Sequence, residues 1–138
     1  MNEDLYEYEG SVTGDNSAVI SISKQLEHGE EFKEVELETG TEPYGMTATY
    51  EGMGADITEK DYKETAISNA SFLFALIENA EWAAFDFEDR EYKITRAALE
   101  DFYGKDLREF AGEDELKSVT KELLMDDESV NQFFESEG

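Results

Sequence analysis

Apolar positions along the chain alternate between helical and extended spacing, and that rhythm predicts most of the architecture. Gly14-Asp-Asn-Ser17 supplies short polar side chains able to accept the first free amides of a helix. Val19, Ile22 and Leu26 then recur at helical spacing with Ile20 alongside, and Gly29 closes the segment, predicting a helix over Asn16 to Glu27. In Phe32 to Thr39, Val35 and Leu37 alternate with Glu34, Glu36 and Glu38, the period of a half-buried strand. Gly40-Thr-Glu-Pro43 reads as a turn, and Tyr44, Met46, Ala48 and Tyr50 repeat every second residue, completing an antiparallel hairpin. Gly52-Met-Gly54 breaks the pattern.

From Asp61 to Asn79 the stripe of Ile67, Ala70, Leu73, Phe74 and Ile77 is widened by Phe72 and Leu76. A helix apolar over so much of its circumference must be largely buried, so it is expected to lie across the sheet. Phe85 and Phe87 share one face of the next strand, Glu88 to Glu91 turns the chain, and Tyr92 and Ile94 begin the return strand of a second hairpin. Thr95 suits the cap of a helix from Arg96 to Tyr103, and Gly104 suits the left-handed residue that ends it. A last helix over Glu113 to Met125 carries Leu116, Val119, Leu123 and Leu124. Beyond Asp126, Val130, Phe133 and Phe134 either dock as another helical turn or fray, and residues 1–13, with Leu5, Tyr6 and Tyr8, form a short strand or a flexible lead. The expected fold is α+β in the order α-β-β-α-β-β-α-α, with an antiparallel sheet of about four strands in two hairpins packed against helices.

A length of 138 residues suits one domain. Nine Phe, seven Tyr and one Trp argue against a disordered acidic polymer, which would be poor in such groups. Charge is the unusual feature: 36 acids against 11 bases leave a formal net charge of −25. That field repels nucleic-acid phosphates and anionic membrane surfaces, and Lys24, Lys33, Lys60, Lys63, Arg90, Arg96 and Arg108 are scattered singly rather than gathered into a stripe. A solvated acidic surface is the simplest reading. Adaptation to high salt is the sharper one, and the retained Lys, Phe and Ile weigh against it.

Several chemistries lose their residues. Without cysteine there are no disulfides, thiolate metal sites or thiol nucleophiles. The single histidine, His28, sits at a predicted helix end, where positive charge suits the dipole. One histidine without cysteine also removes the common zinc sites, and no metal or cofactor is expected. Asp86 to Glu91, Glu113 to Glu115 and Asp126 to Glu128 are rich in oxygen but lack calcium-loop spacing, so weak nonspecific cation binding is the expectation. Gly52-Met-Gly54 lacks the residues of a phosphate loop. Tyr44, Tyr50, Trp82 and Tyr103 are expected to pack rather than to line an aromatic groove. The chain reads as noncatalytic, and no run approaches the roughly 20 apolar residues of a spanning helix.

Gly14-Asp-Asn-Ser17, Val35-Glu-Leu-Glu-Thr39, Glu42-Pro-Tyr-Gly-Met46 with Tyr50, Asn69 to Asn79, and Tyr103-Gly-Lys-Asp-Leu-Arg108 occur in that order. Together they resemble a domain-of-unknown-function family of Gram-positive bacteria, found in predicted lipoproteins and as the outer domain of membrane-bound regulators, some resembling metallopeptidase-type antibiotic sensors. The resemblance implies an extracytoplasmic domain, tethered to a membrane in its native setting, and brings no catalytic residues with it. The sequence departs from that picture in its acidity and in the lack of a leader among the residues given.

Within these segments Pro43 fixes the entry to a strand, and Gly45 lets a backbone or aromatic ring approach. Asn69 and Asn79 on a buried helix need partners, which neighbouring loop backbones are placed to supply. Lys105 and Arg108 are expected to pair with Glu100, Asp101 or Glu109, or else to grip a partner's carboxylate. The first hypothesis is therefore a noncatalytic extracytoplasmic binding or sensory module, monomeric, for a protein, peptide or envelope ligand. Its expected surface is Tyr44, Gly45, Tyr103, Lys105 and Arg108. The second is a cytoplasmic acidic interaction protein of the nucleic-acid-mimic, immunity or inhibitor type, with its acids on one face. The third, a small hydrolase, needs two facing carboxylates in a cleft, one buried with a raised pKa.

Overall fold

Short polar residues start the helices. In the computed structural model, which describes Tyr8 and residues 10–54, 56–88, 90–110 and 112–137, the Asp15 carboxylate accepts from the Ala18 amide and opens α1, Asn16–Gln25. Strands β1, Phe32–Glu38, and β2, Gly45–Tyr50, follow as the expected antiparallel hairpin. Helix α2, Glu59–Leu76, begins earlier than its apolar stripe suggests. Thr58 and Asp61 form a reciprocal capping box, each side chain accepting from the other residue's amide. It also ends earlier, because Ile77 is extended and bridges Ser11 in parallel.

Strands β3, Trp82–Asp86, and β4, Glu91–Thr95, make the second antiparallel hairpin. Thr95 accepts from the Ala98 amide to start α3, Arg96–Tyr103, and Gly104 ends it with φ 81°. A short 3-10 turn over Leu107–Glu109 leads to α4, Glu113–Leu124, and α5, Asp127–Glu137. Val130 and Phe133 of α5 are buried. The expected strand or lead over Leu5 and Tyr6 falls outside the described residues.

The fold is α+β, with one correction to its sheet. Strand order is β1-β2-β3-β4, and β2 runs parallel to β3. The sheet is therefore mixed rather than antiparallel throughout. The reason is the connection: α2 carries the chain back over the sheet before β3 starts, as a parallel neighbour requires. Register then stacks apolar rows on the face beneath the helices. Leu37, Met46, Ala83 and Ile94 make one row; Val35, Ala48, Phe85 and Tyr92 make the next. Tyr50 and Phe87 extend this layer, with ring centres 5.1 Å apart, and Tyr62 of α2 joins them at 5.0 Å. No helix among the described residues is long and apolar enough to cross a membrane.

Candidate functional site

Asn69 is fully buried on α2, and both ends of its amide are used. Its Oδ1 accepts from the Glu27 amide at 3.2 Å, while its Nδ2 donates to the Glu27 carbonyl at 3.0 Å and the Tyr50 hydroxyl at 3.1 Å. The side chain thus mimics a strand partner and fixes the segment just after α1. Burial pushes the Tyr50 phenol up to about 12 against the smaller opposing effect of the Asn69 bond. The next residue, His28, takes a left-handed backbone with φ 58° and places Nδ1 2.8 Å from Glu31 Oε1. A Cβ on Gly29 would run into the Lys24 carbonyl, so only glycine lets the chain turn this tightly. His28 therefore differs from its expected place: α1 stops at Gln25, and its partner is Glu31 rather than a helix end.

This braced segment forms one wall of an open groove of about 960 Å³ between the end of α1, one face of α2 and the second half of α4. A smaller recess of about 230 Å³ continues it beside His28, Asp61 and Thr65. Leu26, Phe72 and Leu124 give the groove apolar surface, and Met125 stands 74% exposed at its edge. Behind it runs a chain of hydroxyls. Ser71 donates to the Ile67 carbonyl at 2.7 Å, which leaves its oxygen to accept from Tyr103, and Tyr103 accepts in turn from Thr120 of the groove lining.

The charges of the groove are unlike those of the chain. Lys24, Lys60, Lys117 and Lys121 line it with His28, against Glu27, Glu30, Glu31 and Glu64. Four lysines against four glutamates balance to zero, where the whole chain carries −25. Partial burial raises the Glu64 carboxyl, with Lys60 opposing. Lys60 pairs with Asp127 at 3.0 Å and Lys117 with Glu113 at 2.7 Å. Lys24 and Lys121 have no ion-pair, hydrogen-bond or aromatic partner among the described residues.

Every other base is engaged. Lys33 pairs with Glu51, Lys63 with Asn131, Lys105 with Glu115 and Arg108 with Asp106. Arg90 lies over Tyr62 and Lys93 over Trp82. Arg96 is buried, and its guanidinium donates to the carbonyls of Phe74, Ile77 and Ala80 while facing Glu100. Desolvation lowers its pKa, but a guanidinium stays charged in so many carbonyl contacts.

The residues expected to form a binding surface are each engaged by neighbours within the protein. Gly45 is covered by the Trp82 indole, which fills the space of a Cβ, donates to the Pro43 carbonyl at 3.1 Å and carries Lys93 at 4.7 Å. The Tyr44 carbonyl accepts from the Glu81 amide beside it. Tyr103 and Lys105 meet instead at Phe110, with Tyr103 5.8 Å from that ring and Lys105 4.2 Å above it. Arg108 is held in two bonds by Asp106, whose carboxyl its guanidinium keeps well below the usual range. The expected ion-pair partners for this basic pair are replaced by Asp106 and Glu115. Asp106 also accepts from the Arg108 amide, and Glu100 is occupied by Arg96 and the Leu107 amide.

Asn79 differs from its expected place, lying beyond the end of α2 and only half-buried, but it does find a loop partner, accepting from the Thr13 amide at 2.7 Å and hydroxyl at 2.8 Å. The oxygen-rich clusters serve the backbone: Asp86 accepts from the Glu88 amide, Glu88 from Gly52, and Asp126 caps α5 through Ser129. Among the described residues no group of three or more His, Asp or Glu is placed to hold a metal ion.

Residues 5–97 match the profile of a domain of unknown function, DUF4825. That span carries α1 to the start of α3, including the Asn69 brace, while α4 lies beyond it. No curated protein and no solved structure matches the chain.

Proposed function

The chain belongs to the DUF4825 family, and from its groove we propose that it is a noncatalytic binding module whose ligand lies between α1, α2 and α4. The carrying observation is the braced wall: Asn69 hydrogen-bonds both backbone groups of Glu27, and left-handed His28 with the glycine-only turn at Gly29 constrains the segment from Leu26 to Glu31. Preorganisation of this kind cuts the ordering cost of binding. Catalysis has less support. His28, the groove's one histidine, is held through Nδ1 by Glu31, and among the described residues Ser68 makes no hydrogen bond to it. In the setting suggested by the family resemblance, this module faces the outside of a Gram-positive cell on a membrane tether.

Two measurements test the reading. In amide-resolved NMR screening against peptide and small-molecule mixtures, hits should move Leu26, Phe72, Thr120 and Leu124. Hits that consistently map to another face would remove the groove as the site. The genomic sequence upstream of Met1 tests location. A leader ending in a cysteine anchor, or a spanning segment, supports the tether; an initiator at Met1 makes the cytoplasmic interaction protein the better reading.

A further inference from the structure

We infer that the free edge of the sheet at β1 takes an extended peptide strand alternating basic with apolar residues, added beside Glu34 to Glu38. This edge is a second surface, outside the groove, whose lining includes no residue of β1. The sheet has two edges, β1 and β4. β4 is blunted: it is five residues long, carries Lys93 and runs straight into α3. β1 is seven residues long, and past the register shift between Phe32 and Glu34 its pairing with β2 is regular to Glu38. Every second residue of such a strand turns its N–H and C=O away from its single partner. Among the described residues, Glu34 to Glu38 make no hydrogen bond beyond the ladder with β2. A row of backbone donors and acceptors therefore stands open to a further strand.

The two faces of β1 select the chemistry of that strand. Towards the helices, Val35 and Leu37 are only half-buried, while their ladder partners Ala48 and Met46 are 1% and 0% exposed. The apolar layer is thus left partly open at this edge, and apolar side chains on an added strand would close it. On the other face Glu34, Glu36 and Glu38 are exposed, with no ion-pair partner among the described residues. Their cross-strand neighbours Thr49, Thr47 and Gly45 carry no charge. Lys33 is already tied to Glu51, and Lys93 stands on the far edge over Trp82. A second copy paired antiparallel through β1 would set these glutamates against each other, which is destabilising. The chain's own leading residues, with Glu3, Asp4, Glu7 and Glu9, bring the same sign. Lys or Arg at alternate positions reverses it, and the net charge of −25 draws such a strand in.

The experiment titrates capped peptides as long as β1, alternating Val with Lys or Val with Glu, into the labelled protein at physiological ionic strength. Alternate amides within Glu34 to Glu38 should exchange freely in the free protein. The Val/Lys peptide should shift them saturably and slow their exchange. An E34Q/E36Q/E38Q variant should fold like the parent and bind this peptide roughly tenfold more weakly, as three exposed cross-strand charge pairs imply. Methylating every amide nitrogen of the peptide keeps its charge, removes its donors and should abolish binding. If the methylated peptide binds the edge as tightly, the attraction is charge alone and strand addition is wrong. If the Val/Glu peptide binds as tightly, or the triple variant binds Val/Lys like the parent, the basic preference is wrong. Edge amides already protected in the free protein would mean that the edge has an occupant, a result that overturns the site. Val/Lys shifts that are absent, or confined to Leu26, Phe72 and Leu124 of the groove, overturn it too.

Discussion

Two parts of α2 meet positive charge in opposite ways. At its C-terminal end the Arg96 guanidinium is buried, donating to three backbone carbonyls at 2.7–2.8 Å and lying 5.2 Å from the Phe74 ring centre. Along the face towards the groove, Lys24 and Lys121 stay exposed without partners among the described residues. Geometry explains the difference. A helix end leaves several carbonyls without amides, and a planar fork of donors can serve them together. The groove offers no such ready-made acceptors, and an ammonium group on a flexible stem remains in water. In this acidic chain, then, one cation is a structural part and two are available to something else.

The largest test breaks the structural side. Arg96→Met keeps much of the volume and removes every donor, leaving three carbonyls to compete for none. A loss of about 3–5 kcal/mol is expected from urea unfolding; a loss near zero would mean those carbonyls have other partners. Next comes alkaline pH, which acts on the brace behind the groove. Tyr50 is 1% exposed, and its folded pKa of about 12 lies above the ordinary value of 10. Its contribution is complete below pH 10 and declines as pH rises towards 12, because only the unfolded chain then releases the proton readily. Stability should fall by about 2–3 kcal/mol across that window. Tyr50→Phe should flatten this slope, and an unchanged slope would assign it to other groups.

Asn69→Ala should cost about 1–3 kcal/mol by orphaning the Glu27 amide and carbonyl. Hydrogen exchange at Glu27 should accelerate far more than at Met46 in the sheet, and equal acceleration would show that the brace is not local. The smallest effect belongs to the other side of the comparison. Lys24→Gln and Lys121→Gln should each change stability by no more than about 0.5 kcal/mol in thermal melts. A larger loss would reveal that these lysines are structural after all.

Features set by local chemistry were readable in advance. The Thr95 cap, the left-handed Gly104 and the two antiparallel hairpins depend on residues close in the chain. Asn69 was readable as well, since a buried amide must find partners, and Gly45 because a bare backbone position invites a ring. The parallel join of β2 to β3 was hidden, because it depends on how α2 returns the chain. The groove was hidden for a related reason: Lys24, Phe72 and Lys121 come from three separate helices. Nor does composition reveal which lysines go unpaired, since Lys60 finds Asp127 only through the fold. Arg96 looked like one of several scattered bases. Its position directly after the Thr95 cap, facing the end of a buried helix, was the available signal.

The seam between Ser11 and Ile77 has a mechanical consequence. The Ser11 amide donates to the Leu76 carbonyl at 3.1 Å, its carbonyl accepts from the Glu78 amide at 2.8 Å, and Thr13 is tied to Asn79. A pull on the chain ahead of Ser11 therefore reaches the end of α2 before it reaches α1 or the sheet. That is also where Arg96 grips the carbonyls of Phe74 and Ile77. Under load, this junction acts as the domain's strain-bearing rivet, and the groove lies downstream of it on the same helix.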